Sequence, residues 1–214
     1  MDLTSRLEKL YASAVYDALR AKGHDNCVLP PEIRALDPRH KLAGQIHTID
    51  GHYEDGQDPD ETLLAWATVL SKAPADRVLI CQPNNNIVAL MGELSAETLK
   101  YKGVRGYIAD GGCRDVHRLL QLDFPVFAKF NTPKDIVGRW TAASMGEPIE
   151  IGGVTINSGD YVLADIDGVV IIPEMLAEEV VTETEAVAAT ENQMRDAILS
   201  GVDPVDALNT YGKF

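Results

Sequence analysis

The chain has 214 residues, of which 45% are hydrophobic and 6% aromatic, and this is enough apolar material for a sizeable core. Its 33 acidic residues against 19 lysines and arginines give a formal net charge of −14 at pH 7. Such a charge repels a phosphate backbone, which excludes nucleic acid as a direct partner. We expect a single domain over residues 1–214.

The three cysteines, Cys27, Cys81 and Cys113, are widely spaced. No CxxC pair and no mixed Cys and His spacing occurs, which argues against a disulfide framework and against a structural zinc site. The first residues lack a basic segment leading into an apolar core, and no apolar run is long enough to span a membrane. These features predict a protein of the reducing cytoplasm with no membrane partner.

In the first third of the chain, the sequence pattern predicts two helices with a strand between them. Apolar residues recur at helical spacing over residues 4–22, and Gly23 ends the pattern. A connection rich in proline and charge leads to a strand predicted over residues 43–49. The acidic loop over residues 50–60 lacks the ligand spacing of a calcium loop, so we interpret it as a solvated loop or lid. A helix is expected over residues 61–72.

The middle of the chain predicts repeated βαβ units. Short apolar runs alternate with helical patterns, and parallel strands are the arrangement that such alternation favours. The strands are predicted over residues 78–81, 87–91, 104–109 and 125–130, and the helices over residues 95–102 and 116–122. A largely parallel central sheet follows from this order.

The last third of the chain predicts two antiparallel hairpins and a long helix. One hairpin alternates around Gly152 and Gly153, and the other turns at Asp167 and Gly168. A helical pattern then runs over residues 174–199. We therefore predict an α/β fold with a mixed central sheet of βαβ units and antiparallel hairpins, flanked by helices and closed by a long C-terminal helix.

The most informative turn follows the third predicted strand of the βαβ units. It reads Gly111-Gly112-Cys113-Arg114-Asp115 and leads into a helix. Glycines let a ligand approach the backbone, Arg114 can bind a carboxylate through its planar guanidinium, and Asp115 can hold a hard metal ion. An ion pair that only caps the helix is the alternative interpretation.

A second turn, Gly92-Glu93-Leu94-Ser95, lies between the preceding strand and its helix. Its backbone N–H groups face outward at the positive end of the helix, where an anion can bind. A plain capping box with Ser95 or Gly92 as the cap is the alternative. Because both turns follow parallel strands, they emerge at the same edge of the sheet, and Glu93 can share a pocket with the Arg-Asp pair.

Together these motifs resemble the class II pyruvate aldolases of the 4-hydroxy-4-methyl-2-oxoglutarate type, a family that also includes the regulator of ribonuclease activity A. The similar features are Gly-Glu-Leu at the start of one helix, the Asp-Gly-Gly-Cys-Arg-Asp turn, the segment Leu-Asp-Phe-Pro-Val-Phe-Ala and the closing hairpin over residues 159–173. They occur in the family's order and spacing over residues 78–175, whereas residues 1–77 agree only in general layout.

The resemblance implies a lyase that cleaves a 4-hydroxy-2-oxo acid to pyruvate and that can also decarboxylate oxaloacetate. It implies Mg²⁺ or Mn²⁺ as the cofactor, with Asp115 as the direct protein ligand. Arg114 would be a catalytic and substrate-binding cation, and Glu93 an acid that reaches the metal through water. The substrate carboxylate would bind the backbone of four residues, Gly92, Glu93, Leu94 and Ser95.

The resemblance also implies active sites between the subunits of a homotrimer or homohexamer. A catalytic glutamate from a neighbouring copy's C-terminal helix would approach the water ligands of the metal. Glu191 is the closest match by its distance from Gly201, and Glu183 and Glu185 are rivals. An ordinary solvated acid on an amphipathic helix is the alternative for each of them.

Other chemistry is open at the level of the sequence. Cys113 and His117 stand four residues apart and suit a thiol nucleophile, although no oxyanion-binding or orienting partner is identifiable. His47 and His52 can line a pocket or act as a base, but a lone histidine is usually structural or exposed. For the whole protein, the alternatives are a non-catalytic regulator that binds an RNA-processing enzyme, and the same metal chemistry on another 2-oxo or sugar-derived acid.

Overall fold

A computed structural model of the chain describes residues 2–212. The strands are β1 (Arg34–Ala35), β2 (Leu42–Tyr53), β3 (Val78–Gln82), β4 (Ala89–Met91), β5 (Gly106–Cys113), β6 (Val126–Asn131), β7 (Trp140–Met145), β8 (Ile149–Ile151), β9 (Val154–Ile156), β10 (Tyr161–Asp165) and β11 (Gly168–Ile172). The helices are α1 (Leu3–Leu7), α2 (Ala12–Ala21), α3 (Pro59–Lys72), α4 (Glu93–Tyr101), α5 (Val116–Leu119), α6 (Glu174–Leu199) and α7 (Pro204–Tyr211).

The centre of the sheet is parallel, as the βαβ pattern predicts. Strands β2, β3, β5 and β6 are consecutive parallel neighbours, and the short strand β4 also pairs in parallel with β5. In register, Ile80 lies beside Ile108, and Ile108 lies beside Phe127. Because these strands run in one direction, the turns after β4, β5 and β6 all open at the same edge of the sheet.

Antiparallel strands complete the sheet and give it the predicted mixed character. Strand β10 pairs with β2 on one side and with β11 on the other, β7 pairs with the end of β2, and β1 pairs with β6. Strands β8 and β9 form a separate hairpin. Both predicted hairpins and the long C-terminal helix are confirmed, and so is the α/β fold class.

The core lies on both faces of the sheet because side chains along a strand alternate between faces. Leu79 packs on one face with Trp66 and Leu99, which come from α3 and α4. The next residue, Ile80, packs on the other face, which the β8–β9 hairpin covers with Ile151. A third cluster joins α1, α2, α6 and β11. The sheet thus lies between packed layers on both faces.

The prediction of one helix over residues 4–22 is wrong. Helix α1 ends at Leu7 and α2 begins at Ala12, with the buried side chain of Leu10 between them. The N–H of Ala12 donates to Asp165 Oδ2 at 2.8 Å. This long-range contact starts a second helix inside a pattern that is helical throughout.

The predicted turn after the third strand also begins later than expected. Strand β5 continues through Gly111 and Gly112 to Cys113. A Cβ atom on Gly112 would lie 2.6 Å from the ring of Phe130, and one on Gly111 would lie 2.8 Å from Pro83 Cγ. The two glycines therefore let the side chains of Phe130 and Pro83 pack directly against the backbone of β5. The turn itself consists of Arg114 and Asp115.

Strand β2 extends beyond the predicted residue 49 into the acidic segment. It ends at Tyr53, because β7, which the sequence pattern did not predict, pairs with residues 49–53 of β2. Strand β1 and helix α7 were not predicted either. Within the described part of the chain, no helix is long and apolar enough to cross a membrane. Residues 1, 213 and 214 of the predicted single domain lie outside the described residues.

Candidate active site

A cleft of about 440 Å³ opens at the carboxyl edge of the parallel strands. The N-terminal turn of α4, the Arg114-Asp115 turn and a segment after β6 enclose it, and α3 contributes one wall. The lining residues are Leu63, Trp66, Ala89, Leu90, Met91, Gly92, Glu93, Leu94, Ser95, Arg114, Asp115, Asp135, Ile136 and Val137. The two sequence motifs singled out above thus meet in one cavity.

Backbone conformation and backbone hydrogen bonds fix the Asp115 carboxylate at the N-terminal end of α5. Arg114 donates its backbone N–H to the carbonyl of Met91 at 2.8 Å, which ties the turn after β5 to the end of β4. Asp115 then adopts a left-handed conformation with φ of 56°, which aspartate tolerates better than most residues. Its Oδ2 accepts the backbone N–H of Glu93 at 3.2 Å. The carboxylate therefore turns back toward the first residue of α4 and does not cap its own helix.

Gly92 is required by the close approach of these two turns. Its backbone is extended, a conformation that any residue adopts. A Cβ atom at this position would nevertheless lie 2.8 Å from Asp115 Oδ2 and 3.0 Å from Arg114 Cγ. The absence of a side chain at Gly92 lets the Arg-Asp pair pack directly on the start of α4.

Helix α4 begins at Glu93, two residues before the predicted start, and offers free donors to the cleft. Gly92 is its N-cap and supplies no side-chain hydrogen bond. Within the described residues, the N–H groups of Leu94 and Ser95 donate to no acceptor, as expected in a first helical turn. The Ser95 hydroxyl is engaged, because it accepts the indole N–H of Trp66 at 2.9 Å. Of the alternative interpretation, Gly92 as the cap is therefore confirmed, the side-chain bond of a capping box is absent from the described residues, and the two N–H groups are available to an anion.

Arg114 stands between two carboxylates. Its Nε lies 3.5 Å from Asp115 Oδ2, and its Nη1 donates to Asp135 Oδ2 at 3.2 Å. Sequence reasoning missed Asp135, although one signal was present. Asp135 follows β6, the next parallel strand after β5, so its loop opens at the same edge as the two predicted turns. Arg118, which does not line the cleft, has its Nε 3.6 Å from Glu93 Oε1.

The donor set fits a hard divalent cation that keeps most of its water. Asp115 Oδ1 accepts no hydrogen bond from any described residue, so one oxygen of this carboxylate is available. Glu93 adds a second carboxylate to the cleft. No group of three or more His, Cys, Asp or Glu side chains within residues 2–212 is arranged to hold a metal ion by itself. One or two carboxylates with several waters is the coordination typical of Mg²⁺.

The thiol and imidazole candidates lie outside this cleft. Cys113 lines a smaller neighbouring cavity, but it is buried, and burial raises its pKa to about 12. A thiol that stays protonated is a poor nucleophile. His117 and His52 are exposed on α5 and at the end of β2. His47 is half-buried within β2, where burial, aided by the charge of Arg77, lowers its pKa.

The three candidate glutamates of α6 are engaged within their own chain. Glu191 accepts the hydroxyl of Tyr11 and raises the pKa of that phenol to about 12. Glu183 lies 2.8 Å from Lys22 Nζ and Glu185 lies 2.8 Å from an Arg6 guanidinium nitrogen; both pairs hold α6 against the N-terminal helices. None of the three lines the cleft. A role for Glu191 in catalysis thus requires a second copy of the chain.

Comparison with known proteins gives consistent relationships. The family model described as RraA-like, Aldolase/RraA, matches residues 12–171. Protein DlpA of Legionella pneumophila is 30% identical over 211 residues, which cover 98% of this chain but only 34% of DlpA. A Halalkalibacterium halodurans protein provisionally named 4-hydroxy-4-methyl-2-oxoglutarate aldolase is 25% identical over 211 residues, covering 99% of this chain and 94% of the relative.

A solved structure supports the same relationship. RraAS2 of Streptomyces coelicolor is described as an unusual member of the RNase ES inhibitor RraA protein family. It matches this fold with a TM-score of 0.80 at 26% sequence identity, over 90% of this chain and 96% of that one. The chain spans about a third of the length of DlpA.

Proposed function

The chain belongs to the RraA-like Aldolase/RraA family, as its motifs indicate, and from this membership and the cleft we propose that it is a divalent-metal-dependent lyase. Its substrate would be a 4-hydroxy-2-oxo acid, which it cleaves to release pyruvate. The observation that carries the proposal is the Asp115 carboxylate, held by the backbone of Glu93 beside Arg114. A protein that only binds a partner has no need of this arrangement.

The residues of the cleft have distinct parts in such a reaction. Asp115 would hold Mg²⁺ or Mn²⁺, and Glu93 would orient the surrounding water. When bound, the ion supplies a Lewis acid that lowers the cost of negative charge on the substrate's 2-oxo oxygen. The N–H groups of Leu94 and Ser95 bind the C1 carboxylate, with Gly92 leaving room for it. Arg114 provides a fixed positive charge near the developing oxyanion.

The same site suits oxaloacetate. Loss of carbon dioxide from this acid, like aldol cleavage, leaves an electron pair on the carbon next to the 2-oxo group, and the same oxyanion must be stabilised. We therefore include oxaloacetate decarboxylation as a second activity of the cleft. The ratio of the two activities depends on how the cleft binds the part of the substrate that leaves.

The proposed assembly is a homotrimer or homohexamer in which Glu191 of a neighbouring copy completes the site. Exposed apolar residues at the C-terminal end support an interface there, since Leu199 is 79% exposed and Val205 is 64% exposed. Glu191 would help to move the proton of the substrate's hydroxyl group. Light scattering would give the mass of the assembly, and Glu191→Gln should lower turnover without changing that mass.

A non-catalytic regulator that binds an RNA-processing enzyme is the second candidate function. The net charge of −14 and the likeness to RraAS2, whose description names RNase ES inhibition, favour it. The same metal chemistry on another 2-oxo or sugar acid is a further variant of the lyase proposal. The lyase proposals predict that the protein turns over a 2-oxo acid, whereas the regulator proposal does not.

The test of the proposal is pyruvate release by the purified protein, followed with lactate dehydrogenase and NADH. The panel contains 4-hydroxy-4-methyl-2-oxoglutarate, 4-hydroxy-2-oxopentanoate and oxaloacetate, each with Mg²⁺, with Mn²⁺ and with EDTA. We expect turnover that EDTA abolishes and added metal restores. Absence of turnover on the whole panel by a folded, metal-loaded protein would refute the lyase and favour the regulator.

A further inference from the structure

The cleft is lined by charged and by apolar side chains. The charged ones are Glu93, Arg114, Asp115 and Asp135, and the apolar ones come from α3, β4, the start of α4 and the segment after β6. On the basis of the proposed lyase function, we propose that the departing half of the substrate is an uncharged, apolar carbonyl compound. The enzyme would then prefer 4-hydroxy-2-oxo monocarboxylates to the corresponding dicarboxylates.

The charges of the lining residues disfavour a second carboxylate that stays on the substrate's departing half. Among the described residues that line the cleft there are three carboxylates and a single cation, Arg114. Its guanidinium already faces two of those carboxylates, Asp135 at 3.2 Å and Asp115 at 3.5 Å. A divalent ion and the N–H groups of α4 can accommodate one substrate carboxylate. A second one would find no unengaged cation among the described lining residues of its own chain and would be repelled by Asp135.

The cations just outside the cleft do not change this balance. Arg118 lies 3.6 Å from Glu93, and Arg139 lies 3.9 Å from Asp135 while its Nε faces Asp55 at 3.5 Å. Each of these arginines therefore already faces a carboxylate of the protein. Recruiting either one to a substrate would leave a carboxylate of the protein without its partner.

The apolar lining residues offer a surface on which an alkyl group of the substrate can pack. Leu63 on α3 is 48% exposed and Leu94 at the start of α4 is 77% exposed, and both line the cleft. Val137 and the buried ring of Trp66 continue this surface. A methyl or ethyl group on C4 of the substrate would remove part of it from water, which is favourable, whereas a carboxylate there would have to lose its own hydration.

The reaction on such a substrate is an aldol cleavage that balances without a further reactant. In 4-hydroxy-2-oxopentanoate, the C4 hydroxyl gives up its proton and the C3–C4 bond breaks. The electron pair of that bond passes to C3, which forms the enolate of pyruvate, and acetaldehyde leaves. The enolate then takes up one proton at C3 to give pyruvate.

The wild-type test uses two substrates that differ only at the end of the chain. These are 4-hydroxy-2-oxopentanoate and 4-hydroxy-2-oxoglutarate, which release acetaldehyde and glyoxylate respectively together with pyruvate. We expect kcat/KM to favour the monocarboxylate by about tenfold or more, since one uncompensated charge near Asp135 raises the barrier by that order. Calorimetric binding of the unreactive pair 2-oxopentanoate and 2-oxoglutarate should show the same order of affinity.

The variant test removes the charge that opposes the second carboxylate. Asp135→Asn retains the oxygen that accepts the N–H of Val137 at 3.3 Å, so the local turn is preserved. The variant should shift the preference about tenfold toward the dicarboxylate, in kcat/KM and in binding alike. Asp123→Asn is the matched control, because Asp123 is 93% exposed, precedes β6 at the other end of that strand and carries the same charge. It should leave the preference unchanged.

Three outcomes count against this inference, and they can be told apart. If the wild type turns over the dicarboxylate as well as or better than the monocarboxylate, the lyase stands and the apolar leaving group is wrong. If neither substrate releases pyruvate, the proposed function fails and the inference fails with it. A preference for the monocarboxylate that Asp135→Asn does not reduce would show that Asp135 does not set the specificity.

Discussion

Asp115 Oδ2 accepts the backbone N–H of Glu93 at 3.2 Å, although the two residues belong to the turns that follow different strands. The side chain of the later turn therefore satisfies one of the free donors at the start of α4. This contact fixes the carboxylate through the backbone of a rigid sheet edge, and it leaves the Oδ1 atom available. A ligand held in this way loses little freedom when a metal ion binds.

Gly92→Ala tests this close approach. The added Cβ atom would lie 2.8 Å from Asp115 Oδ2, so the carboxylate must move, while the extended backbone of residue 92 suits alanine. We expect kcat/KM for pyruvate release to fall by about a hundredfold, because small displacements of reacting groups have effects of this size. The thermal unfolding temperature should change little, since the flexible side chain of Asp115 can move away from the added Cβ atom. Unchanged turnover would show that the position of Asp115 is not critical.

The cysteines should resist alkylation in the folded protein. Burial raises the pKa of Cys81 and Cys113 to about 12 and that of Cys27 to about 11, so thiolate is scarce at pH values near 8. Mass spectrometry after iodoacetamide treatment should show no modification of the native chain and three modifications after denaturation. Rapid labelling of Cys113 with parallel loss of turnover would instead support the thiol nucleophile.

Asp37 should give the protein an acid-sensitive element of stability. This buried carboxylate accepts the Arg39 side chain at 2.6 Å and its backbone N–H at 2.9 Å, and these bonds hold the pKa of Asp37 well below its usual range. Because the folded pKa is lowered, the stabilisation is complete above the unfolded value of 3.8 and is lost as the pH falls below it. Urea unfolding of wild type and Asp37→Asn should therefore show a difference in stability at neutral pH that shrinks below about pH 4. A constant difference would contradict this account.

Much of the fold could be predicted because the periodicities are local. The alternation of strands and helices predicts the parallel sheet, and glycines mark both hairpins. The missed features depend on contacts between distant segments. Helix α2 starts at Ala12, whose N–H donates to Asp165, and β2 extends to Tyr53 because β7 pairs with it. Neither contact can be predicted from the local sequence pattern.

The candidate site was predictable where it lies directly after a strand. Glu93, Arg114 and Asp115 come at the ends of parallel strands, and the structure brings them together in one cleft. Asp135 lies four residues beyond the end of β6, within a loop that folds back toward Arg114. Its place after a parallel strand indicates the edge of the sheet on which it lies, but its contact with Arg114 depends on the three-dimensional path of that loop.

The central claim is that Asp115 holds the metal ion of a pyruvate-releasing lyase. The most direct test compares Asp115→Asn with wild type and with Asp123→Asn in pyruvate release from 4-hydroxy-4-methyl-2-oxoglutarate and 4-hydroxy-2-oxopentanoate, over a range of Mg²⁺ concentrations. We predict that Asp115→Asn lowers kcat/KM on the preferred substrate by roughly a hundredfold or more and weakens the dependence on Mg²⁺, while Asp123→Asn behaves as wild type. Wild-type turnover and Mg²⁺ dependence in Asp115→Asn would contradict the claim.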